Sequence, residues 1–411
     1  MRRRALHPMR RRASHPMSAV TTRVATGASA SGPARTAVAN AVRDALAHLD
    51  GVKPTFGFLF ASADLDLAEG LATASEITRA EIIGCTTAGE ITERGLTHGG
   101  IALMLVASEA TTDIRFSTNL KGAPETVARE LSSNLPALRK AAAAHDRRHL
   151  TTVLLTDGLA GTGERLVNEL YDRRVQSGYQ IVGGAAADEG RFRATWVGAG
   201  SRASTDAAAA LHVFSESPWG MGVDHGLRPT TKQMRVTMAQ GNVVHQIDDQ
   251  PAFAVYQKHA AARNIRLTPE NASPYLIGNE LGIHFFERIS RARAPLSVGP
   301  HGSLVCAGEI PKGSMVSILD GEPESMILAA TAAATGARAR VQGPVAGVLL
   351  FDCVCRGMIL KESFRREVDA VRGVFPNVPI AGLLTYGEIG RSHDRLDGWH
   401  NATAVVVAIP A

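Results

Sequence analysis

Strand-sized apolar runs and stretches with apolar positions at helical spacing follow one another in the same order three times along this chain. Thr55 to Ala61 reads as a strand and Asp64 to Arg79 as a helix; a short apolar run then enters Gly84-Cys-Thr-Thr-Ala-Gly-Glu-Ile91, with a strand at Gly100 to Ser108. The order recurs with Thr151 to Gly158, Thr162 to Ser177, Tyr179 to Asp188 and Ala207 to Ser215. It recurs again with Val345 to Cys353, Ile359 to Val374, Gly382-Leu-Leu-Thr-Tyr-Gly-Glu-Ile389 and Ala402 to Ile409. The two Gly-Glu stretches agree at five of eight positions, and Val153-Leu-Leu-Thr-Asp157 matches Val348-Leu-Leu-Phe-Asp352 at four of five. In the second unit, Gly183-Gly-Ala-Ala-Ala-Asp188 takes the place of the motif, with neither the Thr nor the Gly-Glu.

Ala37 to Leu49 precedes the first unit as an amphipathic helix. Between the second and third units, Gln233 to Asp248 reads as a hairpin turning at Gln240-Gly241-Asn242, followed by a helix from Pro251 to Ala262, a strand at Gly313 to Leu319 and an Ala-rich helix at Glu322 to Arg338. The expected fold is α/β, with two modules of mixed sheets covered by helices, 35–247 and 248–411, after a disordered tail at 1–34. The sheets should be mixed because the last strand of each unit follows a loop too short for a helical crossover. A helix–sheet–sheet–helix sandwich is one arrangement consistent with this.

Composition changes this picture little. Apolar residues at 45% and charged ones at 20% are ordinary for a globular chain. The net charge of +5 belongs to the tail, since leaving out the six arginines of Met1 to Pro16 gives −1 for the rest, so a nucleic-acid partner is not expected. Translation starting at Met17 instead of Met1 would remove that leader. No apolar run approaches the roughly 18 residues of a membrane span. Four cysteines without a C-x-x-C pair indicate reduced thiols in the cytoplasm, and on a strand Cys353 and Cys355 would share a face.

The series Gly84 to Ile91, Leu154-Leu-Thr-Asp-Gly158, Gly183-Gly184 with Asp188, His225-Gly-Leu-Arg-Pro229, Asp248 with Pro251-Ala252, Cys353-Val-Cys-Arg-Gly357, Gly387-Glu388 and His400-Asn-Ala-Thr403 resembles the FIST domain proteins (F-box and intracellular signal transduction), with both N- and C-terminal modules. The resemblance implies a sensory module for small ligands, amino acids being the usual proposal, without an established catalytic activity. The chain ends at Ala411 with no kinase, cyclase or chemoreceptor domain attached, so the expectation is a signal passed to a separate partner protein.

The candidate ligand-binding residues are Thr87, Gly89 and Glu90 in the first motif, Thr385, Gly387 and Glu388 in its echo, and Asp352 with Arg356. Each Glu could hold an ammonium group and Arg356 a carboxylate; the competing reading is a turn whose Glu caps or pairs, and an Arg356 tied to Asp352 or Glu388. Asp157 and Asp352 sit at strand ends, where open α/β sheets place ligands, or else accept turn N–H groups. A thiol enzyme using Cys353 with His400 as base is an alternative, as is a protein-binding scaffold without a metabolite. No P-loop, metal spacing or other cofactor signature is present; the cluster His393, Asp394, Asp397 and His400 reads as a solvated loop.

Overall fold

The computed structural model describes residues 22–30, 32–172, 179–285, 288–392 and 398–411. Its main body is built from the three repeated units. Each begins with a leading strand (Phe56–Ser62, His149–Thr156, Val345–Cys353) and returns through helical structure to a parallel middle strand (Glu81–Thr87, Tyr179–Ala185, Ile380–Thr385). A closing strand (Ile101–Ala107, Ala207–Ser215, Ala404–Pro410) lies antiparallel on the far side of the leading one. An edge strand (Arg23–Ser29, Thr111–Thr118, Gly220–Asp224) pairs antiparallel with it. The sheets are therefore mixed, as the short last connection requires.

Between its middle and closing strands, each unit sends two short strands out of its own sheet. Glu90–Thr92 and Gly95–Thr97 of the first unit complete the third unit's sheet; Glu388–Ser392 and Trp399–His400 of the third complete the second's; Val197–Ala199 and Arg202–Ser204 of the second complete the first's. The exchange closes a ring. Each incoming strand pairs opposite the glycine that opens the motif: Ile91 with Gly382, Ile389 with Gly183, and Gly198 with Gly84. Any side chain there would strike the leading strand, because a Cβ on Gly84, Gly183 or Gly382 would lie 2.4, 1.9 or 2.0 Å from the carbonyl oxygen of Leu59, Leu154 or Leu350.

The three sheets face one another across a common core that includes Phe58, Phe60, Val153, Leu155, Leu349 and Phe351, with Phe60 and Phe351 meeting edge-on at 6.2 Å. Helices cover the outer faces, Ala34–Ala47 and Leu67–Thr78 on the first sheet, Gly163–Asp172 on the second, Pro323–Ala339 and Phe364–Val374 on the third. Any two sheets thus make helix–sheet–sheet–helix layers. Residues 228–320 form a further, nine-stranded sheet with its own core around Tyr256, Leu276, Leu281 and Ile318. It leaves the third sheet after its edge strand and returns at the helix Pro323–Ala339.

Three expectations need correction. Arg23–Ser29, expected within a flexible tail, is a strand: its small residues let a helix approach, and a Cβ on Gly27 would lie 1.9 Å from Ala41 O. The helix expected at Ile359 to Val374 is two helices, Val354–Leu360 and Phe364–Val374, so Cys355 lies in a helical turn and not beside Cys353 on a strand. The match of Asp157 to Asp352 is out of register by one. Leu154 pairs with Gly183 and Leu350 with Gly382, so Asp157 corresponds to Cys353, and Asp352 to Thr156. A one-residue slip reverses the face. The final residues of the helix expected to reach Ser177, and His393, Asp394 and Asp397, lie outside the described residues.

The inserted sheet is clamped to the second unit by charge. Arg293, fully buried, donates to Glu164 Oε1 at 2.9 Å and to the carbonyls of Ala292, Glu309 and Trp399, while Arg291 reaches the same carboxylate at 3.1 Å. Removing the carboxylate takes from the buried Arg293 the Glu164 acceptor that joins the inserted sheet to the second unit. Glu164→Ala is expected to cost about 2 kcal/mol in urea unfolding, and to speed hydrogen exchange in residues 228–320 more than in the three-sheet body.

Candidate functional site

The two Gly-Glu turns are the crossing points of the exchange. Thr87 ends a middle strand, Ala88 and Gly89 turn, and Glu90 begins the outgoing strand; Thr385, Tyr386, Gly387 and Glu388 do the same. In the first turn the Thr87 hydroxyl donates to Glu90 Oε1 at 2.6 Å, and Gly100 N–H, at the head of the closing strand, donates to Oε2 at 3.0 Å. In the third unit, Thr385 donates to Glu388 at 2.6 Å, and Thr403 donates to it from both its hydroxyl (2.8 Å) and its N–H (3.1 Å). Each carboxyl ties an outgoing strand to the start of the strand that returns. Both are fully buried, which raises the Glu90 carboxyl above its ordinary value and pushes Glu388 up to about 7.

The glycines make room. A Cβ on Gly387 would sit 2.4 Å from the Trp399 ring, and one on Gly89 would meet Leu96 and His98. The second unit lacks the motif because its chain crosses through the longer loop 186–196. There Asp188 caps the N–H groups of Phe192, Arg193 and Ala194 and accepts a hydrogen bond from Tyr386. The motif therefore belongs to the tight crossing, and its absence from the second unit follows from loop length.

Arg356 is fully buried in the helix Val354–Leu360. Its Nε lies 2.9 Å from Glu367 Oε1 and 3.1 Å from Asp352 Oδ1; Nη1 donates to the carbonyls of His225 and Ala402, and Nη2 to that of Met326 and to Glu367. Burial, then the charge of Glu367, pushes the Asp352 carboxyl well up. The guanidinium and the two acids form one buried cluster. Asp157, by contrast, sits just beyond its strand and accepts from Leu159 N–H at 2.7 Å and from the Thr195 hydroxyl.

Beside this cluster lies a cavity of about 230 Å³ at the C-terminal ends of the second and third leading strands, roofed by the inserted sheet. Gly158, Leu159, Gly161 and Phe192 come from the second unit, and Cys353, Val354, Cys355, Met358, Tyr386 and Asn401 from the third. Asn242, Ile277, Ala294, Leu296, Cys306, Ala307 and Gly308 come from the insertion. Strand ends where the chain leaves its sheet are where α/β proteins bind ligands. None of Thr87, Gly89, Glu90, Asp352, Arg356, Thr385, Gly387 and Glu388 lines it, though Cys353 and Tyr386 are immediate neighbours of three of them. The cavity residues from the insertion carried no motif to mark them.

Cys353 faces the cavity, but a hydrogen bond with Cys355 and then burial push its thiol well up, opposite to what an activated nucleophile needs. His400 is buried with Nε2 3.3 Å from Gly390 O. Among the described residues no helix is long and apolar enough to cross a membrane. Comparison with curated proteins finds no match. Family models match in chain order, the FIST N domain over residues 55–250 and the FIST C domain over 252–391. These spans run from the first unit's leading strand through the second unit and the insertion to residue 391 in the third unit, and signal transduction is the role associated with such domains. By this coverage the chain belongs to the FIST domain proteins.

Proposed function

We propose that this chain is a cytoplasmic small-ligand sensor whose ligand occupies the cavity between the strand ends and the inserted sheet, and which signals to a separate partner protein. The observation that carries this reading is the Asn401 amide: it lines the cavity, is 1% exposed, and its Oδ1 has no hydrogen-bond partner. A buried polar atom left unpaired is costly, and a ligand that pairs it recovers that cost. A molecule seated there touches the second unit, the third unit and the insertion at once. It would favour one setting of the insertion against the body, the differential interaction that a signal requires.

An amino acid, the class the resemblance implies, would need partners for two charges. Glu90, Glu388 and Arg356 already direct theirs to protein groups. A thermal-shift screen of amino acids and related small metabolites tests the reading. At least one compound is expected to raise Tm further with each increase in its concentration, and Ala307→Phe, which fills the cavity, should abolish the shift. A panel without a hit, or a hit indifferent to Ala307→Phe, would remove the cavity from consideration.

A further inference from the structure

The cavity lining is more selective than the sensor reading alone requires. Among the described residues that line it there is no Asp, Glu, Lys, Arg or His, and Leu159, Phe192, Ile277, Ala294, Leu296 and Met358 give it apolar wall. Its polar groups are mostly committed to the protein. Tyr386 donates its hydroxyl to Asp188 and accepts from Gly190 N–H, Asn242 donates to Cys306 O at 2.8 Å, and the free Cys353 thiol hydrogen-bonds with Cys355 and Glu388. Asn401 Oδ1 is left over.

Among the described lining residues a carboxylate would find no cation and an ammonium no carboxylate; an unpaired charge in such surroundings is strongly disfavoured. The ionisable groups behind the wall, Asp352, Arg356, Glu280 and Glu388, are buried and do not line the cavity. The volume suits one ring with a substituent, since a cavity of roughly 150 Å³ accommodates benzene. Sulfur atoms of Cys306, Cys353, Cys355 and Met358, with the Phe192–Tyr386 stack at 4.7 Å, give a polarizable wall suited to an aromatic ring.

We propose that the cavity selects a neutral, largely apolar molecule of single-ring size carrying one hydrogen-bonding group for Asn401, and that it rejects zwitterions. This rests on the sensor reading of the same cavity.

Matched probes test it on the full chain: benzyl alcohol and indole as neutral ligands, toluene as the same ring without a polar group, and phenylalanine and tryptophan as the zwitterions. Thermal shift and calorimetry should show benzyl alcohol and indole raising Tm by several degrees at millimolar concentration, and the two amino acids binding at least tenfold more weakly. Benzyl alcohol should bind about fivefold more tightly than toluene, and Asn401→Leu should erase that preference. The ligand-free Tm of Asn401→Leu shows whether it folds; Ala307→Phe, at a half-buried position, is the second variant and should block all neutral probes. Amino acids binding as well as the neutral rings, and blocked by Ala307→Phe, would overturn the ligand class and leave the sensor reading standing. Failure of every probe and every metabolite of the wider screen to bind would overturn both.

Discussion

Arg356→Ala is expected to destabilise the protein by about 3–5 kcal/mol, the cost of leaving buried charge without its partner. The guanidinium holds Asp352 and Glu367 and takes up the carbonyls of Met326, His225 and Ala402, all from inside the core. Urea unfolding would show a lower midpoint at little changed slope. Replacing Asp352, Arg356 and Glu367 together by apolar residues of similar volume should cost much less than Arg356→Ala alone, because no charge is then stranded. A loss below about 1 kcal/mol for Arg356→Ala would mean that the cluster is not what fixes this helix. The helix matters for the site, because its other side carries Val354, Cys355 and Met358 onto the cavity.

Stability should also fall as pH rises through the weakly acidic range, with Glu388 as a principal cause. Its carboxyl titrates near 7 in the folded protein against an ordinary value of 4.5. Between those values the folded chain holds a proton that the unfolded chain has released, so raising the pH favours unfolding. The contribution is fully present below about pH 4.5, declines up to about pH 7, and amounts to about 3 kcal/mol. Glu388→Gln keeps an acceptor oxygen for Thr403, turns its NH2 toward the Thr385 hydroxyl and removes the titration. Denaturation midpoints for the two proteins at pH 5 and pH 7.5 should therefore differ in slope, with the variant flatter. Equal slopes would place the titration elsewhere. Asp352, raised in the same direction, adds to the background decline in both proteins.

The order of strands and helices in each unit was legible because it is written locally, in runs such as Val153 to Leu155 and in helical periodicity such as that of Val38 and Val42. The exchange of short strands was not. Val197–Ala199 and Gly95–Thr97 are three residues each, and the pairing of Gly382 with Ile91 joins the first position of one motif copy to the last of the other, which local periodicity does not reveal. The motif itself was visible, and its purpose became clear only with its partners. Thr87 and Glu90 look like ligand donors in sequence, and in space they bond each other. Similarity of residue type also misled the register, since Asp157 and Asp352 end similar apolar runs on opposite faces. The cavity escaped for a related reason. Asn242, Ala294 and Cys306 belong to the insertion and meet Tyr386 and Asn401 only after the two bodies dock.

Because each sheet is finished by strands borrowed from a neighbour, no unit owns a complete hydrogen-bonded edge. Opening the first strips pairing from the third, the third from the second, and the second returns the disturbance to the first. Such mutual dependence turns local breathing into a collective event: the body resists small, independent openings. The seam that takes no part in this exchange is the one between the ring and the insertion, where the cavity lies.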